Sequence, residues 1–525
     1  MSVPGIDVNM TYLAVSISAK DEKSFTEQFE RAKRGGAEAI EVRVDALDEP
    51  SEDLTVRLTG LVKKAKLPVI VTCRDVNEGG VKPVAFSQRL AILKAAITAG
   101  ADMVDTELAT FKHPDAHSVL KAALEASETR LILSCHNFDG PFDNPDIVYE
   151  TILSLFPEAI PKIVAKAAHI NDTFAMFDLL RQADRPAIAF CMGQAGFISR
   201  VLAKKFGAFL TFASLDEDTA TAPGQIPIAH MKQLFRWDEM DADTEIFGVI
   251  GNPVAHSLSP ALFNSCFEQK QINAVFLPFL VDGGRQQFFA FMDHVSERYQ
   301  CGFGGFSVTM PHKANALDYA GLQGDFVDNL AQSIGSVNTL KIGFNGLISA
   351  YNTDYAGAMD ALASVFDGDR HSLHDKKVAV VGAGGVSRAV VAGLAHVGAR
   401  VRIYNRTLNK AELLAEEFRC KFAGIDELIE HKADVVINCT SLGMHPKVDT
   451  CPVPEEYLDE TMTVFDTVYN PLETKLLKIA KDVGAATVNG AEMFIRQAMA
   501  QYKIYIGEEP DEDLMRQVVY KHLDR

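Results

Sequence analysis

Short apolar stretches alternate with amphipathic stretches at an even spacing through residues 12–212, and this alternation constrains the fold more than any other feature of the chain. The amphipathic stretches have a helical period, for example at residues 87–98 and 172–181. The apolar stretches predict eight strands, at residues 12–18, 39–44, 69–73, 103–107, 131–134, 162–167, 187–191 and 209–212. Eight β/α units in about 230 residues is the count and length of a (β/α)8 TIM barrel.

The sequence pattern predicts that a second domain begins near residue 240. Residues 237–245 carry five acidic side chains and no apolar period, which predicts a solvated linker at 238–245. A new apolar strand follows at 246–251 and ends in a glycine. Because 525 residues exceed what one hydrophobic core supports, we expect a barrel domain at 1–237 and a second α/β protein from residue 246 onward.

Composition limits the partners that the chain can have. The formal net charge of -19 argues against nucleic acid and against anionic membrane surfaces, although a basic pocket can still bind a small anionic substrate. The eight cysteines show no CxxC and no spacing typical of zinc, so we expect free thiols and no metal. The first ten residues contain no basic side chain, and no apolar run reaches the ~20 residues of a membrane span, which together favour a cytoplasmic protein.

Polar side chains fall at the carboxyl ends of the predicted barrel strands, where barrel enzymes hold their chemistry. Taken singly, an arginine or a histidine after a strand is more often a loop or structural residue. A lysine inside a strand differs, because a desolvated ammonium must be paired or lose its proton, and such lysines form Schiff bases with ketones. The set therefore predicts imine chemistry on a ketone that carries a carboxylate. Its members are Glu41, Arg43, Arg74, Glu78, His136, Lys162 or Lys166, and Arg200.

Two lysines compete for the role of imine former. Lys162 and Lys166 lie four residues apart in one predicted strand, so the period of two turns both toward the same face. Lys166 is nearer the carboxyl end of the strand, where barrel sites lie, and on this physical ground alone Lys166 is favoured.

Six groups of segments resemble the type I 3-dehydroquinate dehydratase family and occur in the family's order. They are EVRVD (41–45), TCR (72–74) with EGG (78–80), SCHNF (134–138), PKI (161–163), ISR (198–200) and TAPGQ (221–225). The resemblance implies that Lys162, rather than Lys166, forms an imine with the C3 ketone of 3-dehydroquinate. It also implies that His136, oriented by Glu78, removes the C2 proton and then protonates the departing C1 hydroxyl.

The same resemblance implies a set of substrate-binding residues. Arg200 would hold the substrate carboxylate, and the remaining members would bind the ring hydroxyls and order a lid. Thr221 stands where the family commonly has serine, so a hydroxyl is retained. These remaining members are Glu41, Arg43, Arg74, Thr221 and Gln225.

A glycine-rich turn, Gly382-Ala383-Gly384-Gly385, follows an apolar strand at 378–381 and opens a helical stretch. This arrangement places backbone amides at a helix N-terminus, where a pyrophosphate binds. The next strand ends without the acid that NAD enzymes place there and with an arginine suited to a 2′-phosphate, which favours NADP. The other expected cofactor contacts are Asn405, Arg406, Thr407, Lys410, Thr440, Ser441 and Met444.

Polar segments on both sides of the glycine turn resemble shikimate dehydrogenase across residues 245–525. They are HSLSP (256–260), SVTMPHK (307–313), SVNT (336–339), NTD (352–354) and DTVYN (466–470). The resemblance implies that Lys313 and Asp354 form the catalytic pair that moves the proton at the reacting oxygen. It implies substrate-binding roles for Ser257, Ser259, Thr309, Asn338, Tyr469 and Gln497.

Some positions of this second half qualify the resemblance. Helix capping is the plain alternative for Ser257 and Ser259, since serines before a proline often begin helices. Ser307 replaces the asparagine of many single-domain members, and Leu258 replaces their lysine or similar residue. We expect two lobes, a substrate lobe at 246–355 and 485–525 and a Rossmann-like NADP lobe at 356–484.

Together the two resemblances predict a bifunctional enzyme that converts 3-dehydroquinate to 3-dehydroshikimate and then reduces 3-dehydroshikimate to shikimate with NADPH. A quinate dehydrogenase is one alternative, which Thr309 and Arg406 disfavour. A catalytically inactive regulatory homologue is the other, disfavoured because the four central catalytic residues are present, namely Lys162, His136, Lys313 and Asp354. The sequence does not set the oligomeric state.

Overall fold

The computed structural model describes residues 7, 10–219, 222–323, 326–366 and 368–523. The chain divides into two compact units, Met1–Thr244 and Glu245–Arg525. Each unit is built around its own sheets and its own hydrophobic clusters.

The first unit is a barrel of parallel strands. The strands are β1 (Tyr12–Ile17), β2 (Ala39–Arg43), β3 (Val69–Thr72), β4 (Met103–Glu107), β5 (Arg130–Asn137), β6 (Ile160–Lys166), β7 (Ile188–Met192), β8 (Leu210–Ser214) and β9 (Ile226–Pro227). They pair in the order β7-β6-β5-β4-β3-β2-β1-β8, and the short β9 adds to β8. Between β7 and β8 the Phe209 N–H donates to the Ala187 carbonyl at 2.8 Å. The eight predicted strands and the predicted barrel are confirmed.

Two of these strands differ most from their predicted bounds. β5 continues to Asn137, so His136 lies within a strand rather than after one, and β6 begins two residues before Lys162. Proline has no N–H donor and rarely lies inside a strand. Here Pro161 is the second residue of β6 and pairs in register with Leu133.

Helices connect the barrel strands. In the first of them, Asp21 accepts the Ser24 N–H at 2.7 Å as an N-cap, and Phe25, Phe29 and Ala32 form the buried face. The helices are α1 (Glu22–Arg34), α2 (Glu52–Lys64), α3 (Phe86–Thr98), α4 (Leu108–Phe111), α5 (Pro114–Glu125), α6 (Pro145–Leu155), α7 (Thr173–Gln182) and α8 (Phe197–Val201).

The interior of the barrel changes from apolar to polar along the strands. In β4, Met103 belongs to the apolar core cluster, and Asp105 and Glu107 follow on the same face at the period of two. In β6, Ile160 and Val164 of that cluster flank Lys162. A polar layer therefore lies toward the carboxyl ends of the strands, which is the end where barrel sites form.

The acidic segment after the barrel is less solvated than predicted. Its acids at 238, 239, 241 and 243 are exposed, but Met240 and Thr244 are 3% and 2% exposed. Lys204 donates to the Trp237 carbonyl at 3.0 Å, and Lys205 donates to the Ala242 carbonyl at 3.0 Å. The segment belongs to the first unit because bonds from two lysines fix its backbone and the side chains of Met240 and Thr244 are buried, which an acid-rich composition does not reveal.

We expect a fragment of residues 1–244 to be more stable than a fragment of residues 1–240. The shorter fragment lacks the Ala242 carbonyl, which accepts from the nearly buried Lys205, a loss of about 1–2 kcal/mol. Such a loss lowers the melting temperature of a domain of this size by about 2–8 °C. Thermal unfolding followed by circular dichroism would measure it, with a fragment of residues 245–525 expected to unfold cooperatively by itself. Equal melting temperatures for the two barrel fragments would contradict the role of the segment.

The second unit contains two sheets. The first is formed by β10 (Glu245–Gly251), β11 (Ala274–Leu280), β12 (Phe303–Val308), β13 (Phe326–Val327), β14 (Thr339–Ile342) and β15 (Ile348–Tyr351), in the order β11-β10-β12-β14-β15-β13. The second is formed by β16 (Lys377–Val381), β17 (Arg400–Asn405), β18 (Lys421–Gly424), β19 (Val435–Asn438), β20 (Thr463–Asp466) and β21 (Ala486–Val488). Its strands are parallel in the order β18-β17-β16-β19-β20-β21, the order of dinucleotide-binding folds.

Helices join the strands of both sheets. They are α9 (Ser259–Gln269), α10 (Gly284–Glu297), α11 (Lys313–Gln323), α12 (Asn329–Ile334), α13 (Asp354–Ala363), α14 (Gly385–His396), α15 (Leu408–Phe418), α16 (Lys475–Asp482), α17 (Gly490–Ile506) and α18 (Glu512–Leu523). After the second sheet the chain returns to the first, where the Tyr505 ring of α17 lies 5.2 Å from the Phe247 ring of β10. The predicted Rossmann-like architecture is confirmed, and the exact lobe bounds stay a prediction.

Within the described ranges, no helix is both long enough and apolar enough to cross a membrane. The same residues contain no cluster of three or more His, Cys, Asp or Glu side chains that could hold a metal ion. All eight cysteines are free.

Candidate active sites

Lys162 is buried in the middle of the barrel. Its side chain is 5% exposed, its Nζ donates to Asp105 Oδ2 at 2.7 Å, and the same Nζ lies 4.3 Å from the centroid of the Phe212 ring. Lys166 is the last residue of β6 and is exposed. Lys166 still pairs in register with Met192 of β7, so the strand continues to this residue, but its side chain at the carboxyl end of the strand is exposed to solvent. The structure brings Lys162 into the polar layer and keeps Lys166 out of it.

Lys162 is one end of a chain of alternating charges. Asp105 Oδ2 also accepts from Arg74 Nη2 at 2.8 Å, and Arg74 Nη1 donates to Glu107 Oε1 at 3.1 Å. Glu107 then pairs with Arg89 of α3 at 2.9 Å. Burial opposes the ionisation of Asp105, but the charges of Arg74 and Lys162 outweigh it and hold the pKa of this carboxyl well below its usual range. Asp105 is therefore the counter-ion that Lys162 shares with Arg74.

His136 is held by a single carboxylate oxygen. Glu78 Oε2 accepts the backbone N–H of His136 at 3.1 Å and lies 3.0 Å from the ring Nδ1. Burial, together with the charges of Arg74 and Lys162, lowers the pKa of His136 well below its usual value. Burial also raises the pKa of Glu78 to about 7. The imidazole is thus neutral at neutral pH and fixed in orientation, as a general base requires.

Arg200 is buried and has hydrogen-bond donors that no described residue accepts. It lies in α8, directly after β7, and is 1% exposed. Its guanidinium is 4.3 Å from the centroid of the Phe190 ring, and its Nε and Nη1 have no hydrogen-bond partner among the described residues. Burial lowers the pKa of Arg200 to about 10, which still leaves it charged at neutral pH. A buried guanidinium with unused donors is suited to a carboxylate of a bound molecule.

Glu41 and Arg43 face the interior from β2, and both form hydrogen bonds with neighbouring residues. Glu41 accepts from Thr72 Oγ1 at 2.8 Å and from the Ser16 hydroxyl in a short contact. Arg43 forms a two-pronged pair with Asp45, at 3.0 Å and 2.8 Å, and also donates to the Gly79 carbonyl at 3.2 Å. Arg43 therefore also anchors the loop that carries Glu78.

The predicted lid residues lie between β8 and β9. Gln225 is half-buried, and the Pro223 carbonyl just before it accepts the Gly193 N–H at 3.1 Å, which sets this loop against the loop after β7. Thr221 lies outside the described residues.

In the second unit, Lys313 and Asp354 form a buried ion pair. Lys313 begins α11 and Asp354 begins α13, and the Nζ of the first donates to the Oδ2 of the second in a short contact. Their side chains are 13% and 7% exposed. Asn338 accepts the Thr353 N–H at 2.8 Å and donates to the Thr353 hydroxyl at 2.9 Å, so it holds the residue before Asp354.

The other predicted substrate contacts of this unit follow strands of its two sheets or lie on helices α9 and α17. Ser257 and Thr309 follow β10 and β12, which are neighbouring parallel strands, so both lie at the same edge of the sheet. Ser257 Oγ accepts the N–H of Ser259 at 3.3 Å, which agrees with a capping role for that hydroxyl. The Tyr469 ring stacks on Phe494 of α17 at 4.7 Å. Gln497 lies one turn further along α17, which packs along α13.

The glycine turn lies beside the ion pair. Gly385 is the first residue of α14, and a Cβ at that position would lie 3.1 Å from Lys313 Cδ. Gly382 has φ +116, and a Cβ there would lie 3.0 Å from the Cys439 carbonyl oxygen in the loop after β19. Gly382 needs glycine because of its positive φ, whereas a Cβ at Gly385 would require the Lys313 side chain to shift slightly. The turn thus forms the crevice of the second sheet at the point where its strand order reverses.

Comparison with protein families covers most of the chain. Residues 13–242 match the family model of type I 3-dehydroquinase. Residues 249–340 match the shikimate dehydrogenase substrate binding domain, residues 363–450 match shikimate / quinate 5-dehydrogenase, and residues 490–520 match the shikimate 5'-dehydrogenase C-terminal domain.

The chain is 34% identical, over 98% of its own length and 85% of the relative's, to the chloroplastic bifunctional 3-dehydroquinate dehydratase/shikimate dehydrogenase of Arabidopsis thaliana. The chain belongs to this bifunctional family. Its second half is 38% identical to the shikimate dehydrogenase (NADP(+)) of Methanocaldococcus jannaschii, over 53% of this chain and 98% of that one. A crystal structure of a shikimate dehydrogenase in complex with NADP+ is similar, with a TM-score of 0.50 and 38% identity over 55% of this chain and 98% of that one.

The residues of this bifunctional family member fit an NADP molecule. The N-terminus of α14 follows a turn without side chains that would block a pyrophosphate. Arg406 and Lys410, at the end of β17 and the start of α15, are exposed and form no ion pair with a described residue. Two unpaired cations at this place suit the 2′-phosphate. Asn405 and Thr407 adjoin them, and the remaining predicted contacts lie in the loop after β19, namely Thr440, Ser441 and Met444.

Sequence analysis missed three charged residues of the barrel site. Asp105 and Glu107 are buried in β4, and Arg89 is buried in α3. A usable signal exists for the first two, because Met103, Asp105 and Glu107 share one face of a strand that is otherwise apolar. No signal in the sequence marks Arg89, since an arginine in an amphipathic helix is usually solvated.

Proposed function

We propose that this chain catalyses two consecutive reactions, the dehydration of 3-dehydroquinate and the NADPH-dependent reduction of the 3-dehydroshikimate that results. One observation carries the proposal. A single chain holds a buried lysine beside a neutral histidine in a barrel, and a lysine–aspartate pair beside a dinucleotide turn. The product of the first reaction is the substrate of the second, so the fusion joins chemistry that runs in sequence.

In the barrel, Lys162 is the proposed nucleophile. Its amine attacks the C3 ketone once it has lost a proton, water leaves, and an iminium ion replaces the ammonium beside Asp105. The buried carboxylate then faces a cation in both states, so the imine forms without leaving an unpaired charge. The iminium withdraws electrons from C2 and stabilises the carbanion that forms there.

His136 is the proposed proton carrier of this first reaction. The neutral ring takes the C2 proton and returns it to the C1 hydroxyl, which leaves as water. Glu78 keeps the ring in place through both steps. Arg200 holds the substrate carboxylate with its free donors. Hydrolysis of the imine releases 3-dehydroshikimate and restores Lys162.

In the second unit, Lys313 is the proposed acid. It gives a proton to the ketone oxygen of 3-dehydroshikimate while Asp354 holds the side chain. Bound NADPH would supply the hydride. The proposed substrate contacts are the carboxylate-binding Ser257 and Ser259 and the ring-binding Thr309, Asn338, Tyr469 and Gln497.

A coupled assay tests the proposed function. The purified chain should consume NADPH when given 3-dehydroquinate, and a Lys162→Ala variant should consume it only when given 3-dehydroshikimate. Quinate oxidised faster than shikimate would favour a quinate dehydrogenase. No turnover of any of these substrates would favour an inactive homologue.

We expect Arg406→Ala to raise the Michaelis constant for NADPH about ten- to a hundredfold and to leave that for NADH nearly unchanged. A charge-assisted contact with the 2′-phosphate contributes about 1.5–3 kcal/mol, and NADH lacks that phosphate. Steady-state kinetics with both cofactors would measure the change. Arg400→Ala is the matched control, because Arg400 lies at the other end of β17 and pairs with Asp375 at 3.0 Å. An equal loss with both cofactors would show that Arg406 is structural.

The proposed partners are the small molecules of these two reactions, with neither nucleic acid nor a membrane, and the net charge of -19 supports this. A cytoplasmic location stays a prediction. The eight free cysteines favour a reducing compartment, and the Arabidopsis relative carries the description chloroplastic.

A further inference from the structure

Asp466 is a buried carboxylate that the proposed reactions do not use. It ends β20 and is 0% exposed. Its Oδ1 accepts from Asn438 Nδ2 at 2.9 Å and from the Val468 N–H at 3.0 Å, and its Oδ2 accepts from Thr474 Oγ1 at 2.6 Å. Among the residues that the structure describes, these three uncharged donors are what it bonds to, and no cation pairs with it.

The first donor, Asn438, shapes the cofactor loop. Asn438 lies opposite Asp466 in the neighbouring strand β19. Its Oδ1 accepts both the N–H of Thr440, at 2.9 Å, and the hydroxyl of Thr440, at 2.7 Å, and its Nδ2 also reaches the Leu442 carbonyl at 3.2 Å. Each polar atom of the amide is thus used, and its orientation follows from the carboxylate that it faces. Asp466 therefore fixes the start of the loop that holds Thr440, Ser441 and Met444.

The other two donors shape the loop that carries Tyr469. The Val468 N–H directly precedes Tyr469, and Thr474 closes the same loop as the N-cap of α16, where its Oγ1 accepts the Leu477 N–H at 3.3 Å. A backbone bond from the His445 N–H to the Asn470 carbonyl, at 3.0 Å, joins this loop to the cofactor loop. One carboxylate is thus bonded to both ends of the Tyr469 loop and to the cofactor loop.

A buried anion without a counter-ion costs free energy unless hydrogen bonds compensate for its lost hydration. Burial accordingly raises the pKa of Asp466 to about 6. An apolar residue would remove that cost if only packing mattered at this position. A carboxylate has one property that an apolar residue lacks, since it can accept from three donors on two loops at once.

We propose that Asp466 is a positioning residue of the dehydrogenase site, which holds the cofactor loop (438–444) and the substrate loop (466–474) in one arrangement. This inference rests on the proposed function of the second unit. Because the carboxylate touches neither ligand, its effect reaches NADPH through Asn438 and reaches 3-dehydroshikimate through the backbone before Tyr469. The two binding steps are therefore expected to weaken together when the carboxylate is changed.

Three variants test the positioning role of Asp466, namely Asp466→Asn, Thr474→Val and Thr474→Ser. An asparagine keeps one acceptor oxygen but turns an N–H₂ toward Thr474, whose hydroxyl then loses the acceptor to which it donates. We expect Asp466→Asn to raise the Michaelis constants for NADPH and for 3-dehydroshikimate about tenfold each, with kcat reduced less than about threefold. Thr474→Val, which keeps the shape and loses the hydroxyl, should raise both constants about threefold, and Thr474→Ser should restore wild-type values.

Two controls separate positioning from a loss of folded protein. Thermal unfolding followed by circular dichroism reports on the fold of the second unit itself, and Asp434→Asn changes an aspartate just before β19 that accepts the Lys377 N–H at 2.8 Å. A fall in kcat with both Michaelis constants unchanged, or equal values for the Val and Ser variants, would overturn the proposal. If Asp466→Asn does not fold, the Thr474 pair decides by itself. Inactivity of the wild-type chain with 3-dehydroshikimate would instead refute the proposed function.

Discussion

Sodium borohydride should trap 3-dehydroquinate as a stable amine on Lys162 and on no other lysine of the chain. Lys162 is the lysine that the structure places in the barrel interior, 2.7 Å from a carboxylate that can accompany its cationic imine. Lys166 is exposed at the carboxyl end of β6 and forms no ion pair with a described residue that would accompany an imine. Peptide mass mapping after reduction would locate the added ring.

Lys162→Ala should abolish the trapping and reduce dehydratase kcat by on the order of 10⁴-fold or more, because the covalent route is lost entirely. Lys166→Ala is the matched control, since it removes a lysine from the same strand, and it should keep nearly full dehydratase activity. Shikimate dehydrogenase activity should survive in both variants. Label on Lys166, or full trapping in the Lys162→Ala variant, would refute the assignment.

The choice between these two lysines shows what a pattern in sequence can and cannot provide. A period of two correctly predicts that Lys162 and Val164 face the barrel interior. It does not predict how deeply each residue of that face is buried, and Lys166, at the carboxyl end of β6, is exposed. The segment PKI distinguished the lysines only through its resemblance to a family. Burial along a strand depends on tertiary packing, which a local pattern does not contain.

The fold was more predictable than the pairing of charges within it. Eight apolar segments sufficed for the barrel, and a strand followed by Gly382 to Gly385 sufficed for the dinucleotide fold. The chain from Lys162 through Asp105, Arg74 and Glu107 to Arg89 joins four separate elements of the barrel. Such a network depends on which strands become neighbours and in what register. A sequence can therefore indicate that a charged residue lies in a strand, but it does not indicate which residue that charge pairs with.

The acidic segment at 238–245 was also predicted only in part, because its exposed residues were expected and its buried ones were not. Its acids are exposed as predicted, but Met240 and Thr244 are buried and Lys205 bonds to its backbone. Composition reports only the average character of a segment and does not show which of its side chains, here Met240 and Thr244, become buried. Similarly, Arg200 was predicted after a strand, and its burial in α8 with unused donors became apparent only in the structure.

Lys313→Ala and Asp354→Ala should each reduce the turnover of 3-dehydroshikimate by about 10³-fold, because each removes half of one acid–base unit. The two side chains bond to each other and are nearly buried, so either one left alone is an unpaired charge in a poorly hydrated place. Alanine at 313 removes the proton donor itself. Alanine at 354 leaves the lysine without the carboxylate that holds it toward the substrate.

The double variant should therefore be scarcely slower than either single variant, since the second substitution removes a group that has already lost its partner. Initial rates with saturating NADPH and 3-dehydroshikimate would measure all four proteins of this cycle, with thermal unfolding of each protein as the check that its second unit is folded. Losses that multiply, to about 10⁶-fold in the double variant, would mean that Lys313 and Asp354 act independently. In that case Lys313 would donate the proton without help from Asp354, and Asp354 would act through a separate contact with the substrate.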